Sequence, residues 1–241
     1  MSVPRKLKAV VTDLKKYRDN ITLYRFKPEF NIKFKPGQFL HLALDNYDPS
    51  YNWPESRVFS MANAPGKESI DILVSPKGNF TKRMINEISV NKKIWLKLPY
   101  GTFNFRGSSG KDVILIAGGT GISPFISFLE DLQESKDEYR SINLFYGVRN
   151  QDLIIFGKNL ETYQQKIRNF KYRLFCENIN NESALSMEHG ILPVRELVDQ
   201  TITYTDPVYY LSGPKLMIEC FEKELKDKSI RPDRIFYDKW E

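Results

Sequence analysis

From residue 113 onward the chain alternates apolar runs with amphipathic stretches, and few folds tolerate that pattern. VILIA (113–117), INLFYG (142–147), YRLFC (172–176) and VYYLSG (208–213) are near-continuous in apolar residues, whereas a strand with one wet face would alternate apolar and polar positions. Both faces of these strands must therefore be covered. The covers lie between them. Pro124–Ser135 sets Phe125, Phe128, Leu129 and Leu132 at i, i+3, i+4 and i+7, and Leu153–Arg168, Pro193–Gln200 and Pro214–Lys228 each have room for two helical turns or more. Strand and helix in alternation predict a Rossmann-like, doubly wound parallel sheet over residues 111–241.

The first 107 residues follow a different rule. ITLYRFKP, GQFLHLAL, RVFSMANA, IDILVSP and KKIWLKLP are short, rich in β-branched and aromatic residues, and separated by Pro36-Gly37, Pro65-Gly66, Lys77-Gly78 and Tyr100-Gly101. Closely spaced strands of this kind predict an antiparallel barrel. One helix is expected at Thr81–Ile88. The GSSGK segment (107–111) divides the two patterns, so the expected organisation is a two-domain chain, β followed by α/β.

No apolar run approaches the roughly 20 residues needed to cross a bilayer, and the N-terminal MSVPRKLKAVVTDLKK lacks the apolar core of a secretory signal. The expected location is the cytoplasm. Cys176 and Cys220 are the two cysteines; they exclude a disulfide scaffold and a four-thiolate iron–sulfur cluster, and are expected in the core. His41 and His189 have no partner at metal-ligand spacing, so no metal is expected. The net charge of +6 conceals a division: residues 1–110 carry 19 Lys and Arg against nine Asp and Glu, whereas residues 111–241 carry 17 against 21. Those basic residues are scattered through strands without a nucleic-acid-binding signature, which argues against nucleic acid and favours an acidic protein partner or a merely solvated surface.

The polar groups cluster at strand ends. After VILIA comes Gly118-Gly119-Thr120-Gly121, with Ser123 and Pro124 expected as N-cap and first-turn proline of the next helix. Glycines allow close backbone approach and a helix N-terminus favours anions, so the turn suits a dinucleotide pyrophosphate or is simply a tight connection. Arg149 ends the next run, placed for a 2′-phosphate or for solvent. Ser212-Gly213-Pro214 reaches the same carboxyl edge, with Ser212 a ligand contact or an N-cap. In the β half, Arg57-Val58-Phe59-Ser60 and Gly78-Asn79-Phe80-Thr81 offer a cation, an aromatic face, two hydroxyls and helix-start amides.

Taken in this order, the motifs resemble the ferredoxin–NADP reductase superfamily, in which a Greek-key flavin-binding β-barrel precedes an NAD(P)-binding α/β domain. The family's Arg-x-Tyr-Ser/Thr is matched by Arg57-Val58-Phe59-Ser60 with Phe for Tyr, and its Gly-x-x-Ser/Thr by Gly78-Asn79-Phe80-Thr81. Leu98-Pro99-Tyr100-Gly101-Thr102-Phe103 is similar to its Gly-Pro-Tyr-Gly-x-Phe turn, Gly118-Gly119-Thr120-Gly121-x-x-Pro124 to its nucleotide loop, and Ser212-Gly213-Pro214 to its Cys-Gly-Pro. The resemblance implies FAD rather than FMN, bound by Arg57, Val58, Phe59, Ser60, Gly78, Asn79, Phe80 and Thr81 beside a strand carrying Ile72, Leu73 and Val74. It implies NADPH or NADH at Gly119, Thr120, Gly121, Pro124, Arg149, Ser212, Gly213 and Pro214. Ser60 near flavin N5, Ser212 facing the nicotinamide and Trp240 stacked over the flavin would be the catalytic residues. The implied activity is hydride transfer from NAD(P)H to flavin, then electron transfer to a ferredoxin, flavodoxin or oxygenase component. The alternative is a flavin-binding electron-transfer or regulatory subunit with little turnover of its own.

Overall fold

The computed structural model describes residues 3–104, 110–134, 139–180 and 185–238, which divide into two units, residues 1–104 with 126–131, and 105–125 with 132–241.

The first unit holds β1 (Arg5–Lys16), β2 (Thr22–Pro28), β3 (Phe39–Ala43), β4 (Ser56–Ser60), β5 (Ile70–Val74), α1 (Asn79–Glu87) and β6 (Lys93–Tyr100). The strands pair antiparallel in the order β4-β3-β6-β1-β2-β5. A bridge from Met61 to Ile72 and a 2.7 Å hydrogen bond from the Ala62 N–H to the Asp71 carbonyl join the two outer strands. The sheet is thus a nearly closed Greek-key barrel, an arrangement that leaves little unpaired edge. Its inner face is apolar: Leu7, Ala9, Val11, Phe26, Leu40, Leu42, Ile72 and Leu96 are all buried. β1 is a strand that the sequence reading did not anticipate. Lysines hide it, yet Leu7, Ala9 and Val11 recur at every second position, the spacing of a half-buried strand.

α1 starts two residues before the expected Thr81. Gly78 is its N-cap, and Thr81 occupies the third helical position, its Oγ1 accepting from the Gly78 N–H at 3.0 Å. Phe80 and Met84 bury themselves in the barrel core.

The second unit holds β7 (Asp112–Gly118), β8 (Ser141–Asn150), β9 (Phe170–Asn178), β10 (Glu188–His189), β11 (Pro207–Ser212) and β12 (Ile235–Asp238), every neighbouring pair parallel in the order β10-β9-β8-β7-β11-β12. Its helices are α2 (Ser123–Leu132), whose residues 126–131 cluster with the first unit, α3 (Gly157–Lys166), α4 (Val194–Thr201) and α5 (Lys215–Asp227). This is the Rossmann-like sheet read from the apolar runs. β7 is buried along its whole length. Ser123 departs from expectation: its φ and ψ of −50° and −53° are helical, and its Oγ donates to the Thr120 carbonyl at 2.9 Å rather than capping an amide. A tight turn over Gly119–Ile122 already leads into the helix and leaves no extended cap position. Cys176 is buried as expected, but Cys220 is exposed, because Ile218, Phe221 and Leu225 form the inward stripe of α5.

Candidate functional site

Two polar constellations stand out, one in each unit. In the barrel, the Greek-key order makes β4 an outer strand whose register sets Phe59 opposite Leu40 and Arg57 opposite Leu42. Phe59 packs half-buried against the barrel core, and Ser60 is buried. Arg57 emerges at the barrel end, where its guanidinium lies 5.2 Å from the centroid of the Phe80 ring. Two motifs twenty residues apart thereby meet. The same guanidinium donates to the Ser56 carbonyl at 2.9 Å and to Glu55 Oε1 at 2.8 Å, contacts that fix its direction while its side chain stays half exposed.

Beside it, α1 opens with the unbonded first-turn amides of any helix. Thr81 Oγ1 both accepts from the Gly78 N–H and donates to the Gly78 carbonyl, each at 3.0 Å. A cation over an aromatic ring and a helix N-terminus make a donor set for a phosphate or diphosphate. Ile72, Leu73 and Val74 are buried in β5; Val58 points out of the barrel from β4, and Asn79 begins α1.

In the second unit the strand order reverses between β7 and β11, the switch point where open α/β sheets hold ligands. Here the loops after the two strands touch backbone to backbone. A Cβ on Gly121 would stand 2.3 Å from the Ser212 carbonyl oxygen, and one on Gly213, at φ +151°, 2.9 Å from the Gly118 nitrogen. Gly119 sits at φ +54° with open space where a side chain would go. Thr120 follows in the turn, and Pro124 lies in the first turn of α2. The switch point thus presents glycine backbone, which suits a pyrophosphate.

Ser212 ends β11 with its side chain buried, its Oγ donating to Asp238 Oδ2 at 3.3 Å. Pro214 is extended, at φ −57° and ψ 139°, as the N-cap of α5. Asp238 was not singled out in the sequence. Pairing RIFYD beside VYYLS in register would have placed it, since Ser212 and Asp238 are direct cross-strand partners. Arg149 is exposed near the end of β8; its carbonyl accepts from Asn178 Nδ2 at 3.0 Å. Trp240 lies outside the described residues. Among the described residues no group of His, Cys, Asp and Glu could hold a metal ion, and no helix is long and apolar enough to cross a membrane.

Residues 115–223 match the family model of the oxidoreductase NAD-binding domain. The chain is 27% identical to the anthranilate 1,2-dioxygenase electron transfer component of Acinetobacter baylyi, over 98% of this chain and 67% of that protein. It is 28% identical to the reductase component of propane 2-monooxygenase of Mycolicibacterium goodii, over 92% of this chain and 64% of that protein. Its fold is that of a ferredoxin NADP+ reductase of Neisseria gonorrhoeae solved with FAD and NADP, at TM-score 0.74 and 18% identity over 99% of both chains. A cytochrome P450 reductase of Amycolatopsis has the same fold, at TM-score 0.82 with 20% identity, covering 98% of this chain and 70% of that one. The chain spans about two thirds of the length of the curated relatives named above.

Proposed function

We propose that this chain is a flavin-dependent NAD(P)H oxidoreductase module that relays electrons to a separate protein acceptor. The observation that carries the proposal is the Arg57 guanidinium held over Phe80 at the start of α1, a cradle whose charge and donors fit a diphosphate. In this proposal Arg57, the first-turn amides of Asn79, Phe80 and Thr81, and the Thr81 hydroxyl hold the pyrophosphate of FAD. Phe59 and Val58 flank the flavin with Ile72–Val74, and Ser60 supplies a hydroxyl to the ring system. The Gly119–Gly121 turn, Pro124 and Ser212-Gly213-Pro214 hold the nicotinamide dinucleotide. Hydride acceptance from NAD(P)H and release of single electrons are chemistry that the bound cofactors supply. The protein's part is to bind, orient and exclude water.

The names of the relatives, a dioxygenase electron transfer component and a monooxygenase reductase component, support an oxygenase component as acceptor, with a ferredoxin or flavodoxin as the other candidates. Arg149, exposed and without an ion pair among the described residues, favours NADPH; Arg149→Ala should lower the ratio of NADPH to NADH turnover. A cytoplasmic setting belongs to the same proposal, since the two cysteines stay unpaired.

The deciding experiment is the spectrum of the purified chain. A yellow protein whose flavin band bleaches on anaerobic NAD(P)H addition is expected, with Phe59→Ala losing flavin and Phe59→Tyr retaining it. A colourless chain, or a flavin that NAD(P)H leaves oxidised, defeats the proposal.

A further inference from the structure

The outward side of β1, β3 and β6 carries a constellation that the cofactor cradles do not use. Lys6 on β1 stands directly opposite Lys97 on β6, and Lys97 opposite His41 on β3. Like charges facing across strands destabilise a sheet, and folding alone gives no reason for them here. Neighbouring cations of the barrel are neutralised: Arg25 by Asp71, Lys27 by Glu68, Arg83 by Asp45 and Glu87. Lys6, Lys8 and Lys97 form no ion pair among the described residues. They meet aromatic residues instead: Lys6 Nζ donates to the Tyr47 hydroxyl at 2.6 Å, lying 4.6 Å from that ring's centroid and 5.8 Å from that of Trp53, while Lys8 Nζ is 5.1 Å from Trp95 and Lys97 Nζ 5.5 Å from Tyr100.

These rings form a braced group. Tyr47 lies 5.1 Å from Trp53 and 5.2 Å, edge on, from Trp95, and Trp53 Nε1–H donates to Ser56 Oγ at 3.0 Å. Such contacts favour a cation beside a ring, and the half-exposed tryptophans and tyrosine are residue types that anchor interfaces. The face also runs into the cradle. In the order β4-β3-β6-β1, Lys97 sits two strands, roughly 10 Å, from β4, the strand of Arg57 to Ser60.

We propose that this outer face of β1, β3 and β6 docks the acidic protein that accepts the electrons. The inference rests on the proposed function and adds the place and the chemistry of recognition: carboxylates meeting Lys6, Lys8 and Lys97 at the rim, with apolar contact on Tyr47, Trp53 and Trp95. A single-stranded nucleic acid would also suit lysines and aromatics, but the scattered cations of this half form no groove of the kind that tracks a phosphate backbone. An acidic protein is the occupant to test.

The test uses the full flavin-loaded chain with an acidic [2Fe–2S] ferredoxin and an acidic flavodoxin as probes, measuring binding and electron transfer from NAD(P)H at low and high salt. Lys6→Gln/Lys97→Gln should weaken binding of at least one probe about tenfold and flatten its salt dependence, as rim charges do. Ferricyanide reduction, which needs only the flavin and nucleotide sites, should be unchanged, and the thermal midpoint unchanged or higher because a like-charge pair is gone. Trp53→Ala should weaken binding without altering the salt slope. The control Lys15→Gln/Lys16→Gln, at the far end of β1, should leave binding intact. Equal losses in the control, salt-insensitive binding, or no binding of either probe would overturn the docking face while intact ferricyanide reduction left the oxidoreductase standing. A chain that reduces no ferricyanide would instead sink the functional proposal. A single-stranded oligonucleotide that outcompetes both probes at this face would replace the protein partner and overturn the inference.

Discussion

At the scale of single residues, the nucleotide turn and the outer barrel face make opposite demands on their environments. Gly121 has no room for a methyl group, because the Ser212 carbonyl oxygen stands 2.3 Å from where its Cβ would be. That neighbour is backbone, so Gly121→Ala must push the β7 and β11 loops apart, at a cost of about 1–3 kcal/mol. NAD(P)H affinity should fall with it. Gly119→Ala meets no atom and pays only for its left-handed φ, about 1–2 kcal/mol. Nucleotide titration and thermal unfolding of the two variants check this. If Gly121→Ala binds nucleotide like the parent, the turn is not the site.

His41 shows the reverse effect, a group crowded by charge and burial. Desolvation first, and the Lys97 ammonium second, hold its titration below the ordinary 6.5. Above that value both folded and unfolded chains carry a neutral imidazole. As pH falls below it, the unfolded chain takes the proton first, so this residue removes stability on acidification. Lys97→Met should raise the His41 titration toward 6.5 while leaving it below, since burial remains. NMR of the imidazole in the two proteins decides the matter, and an unmoved titration would remove Lys97 as a cause. The glycines were legible because close approach admits a single residue type. Asp238 was not, because an acid near the end of RIFYDKWE has no meaning until the strand register sets it against Ser212.

At the scale of elements, α1 does two jobs with nine residues. Its inward side buries Phe80 and Met84, and its N-terminus faces the Arg57 guanidinium. Thr81→Ala removes both bonds to Gly78 and should cost about 1 kcal/mol, the usual worth of a cap. Flavin retention should fall more than such a loss explains, because the Thr81 hydroxyl and the order of the first-turn amides go together. Met84→Ala should cost more stability, about 2–5 kcal/mol, yet leave the donors in place. Urea unfolding and flavin titration separate these effects, and a Thr81→Ala protein with unchanged flavin affinity would remove the α1 N-terminus from the cradle.

The sequence suggested this helix but misplaced its start, for a physical reason. A capping box usually shows Ser or Thr at the cap and Glu or Gln three residues on; here glycine caps and the threonine reaches back. β1 was obscured differently. Five lysines and arginines among its twelve residues outweigh, in composition, the Leu7, Ala9 and Val11 alternation that puts it in the barrel wall. The continuous runs of β7, β8, β9 and β11 needed no such care, since a strand covered on both faces leaves no polar position to mislead.

At the scale of the whole molecule, the composition shift at GSSGK tells where the pattern of strands changes but not which residues each core requires. The first unit includes residues 126–131, and their contacts explain why. Phe128 stacks 5.7 Å from Phe103 and fills the space beside Gly37, where a Cβ would lie 2.4 Å from its ring. Ser127 Oγ donates to the Asn63 carbonyl at 2.7 Å, and Glu130 Oε2 accepts from the Ala64 N–H at 2.6 Å. The i, i+3, i+4 spacing of Phe125, Phe128 and Leu129 announced a buried stripe without saying what would cover it. A fragment ending at Asn104 therefore keeps every barrel strand and loses this patch. It should bind a hydrophobic dye and unfold at lower urea than the barrel of the whole chain, where each lost bond to a buried partner is worth about 1–3 kcal/mol. In the whole chain, Glu130→Ala should reproduce part of that loss and Glu130→Gln, which can still accept from Ala64, less of it. With Trp240 replaced by Phe, Trp53 and Trp95 are the remaining tryptophans and both belong to the first unit, so tryptophan fluorescence then follows the barrel's unfolding. A fragment as stable as the parent barrel would mean that the six β-strands and α1 carry the unit alone.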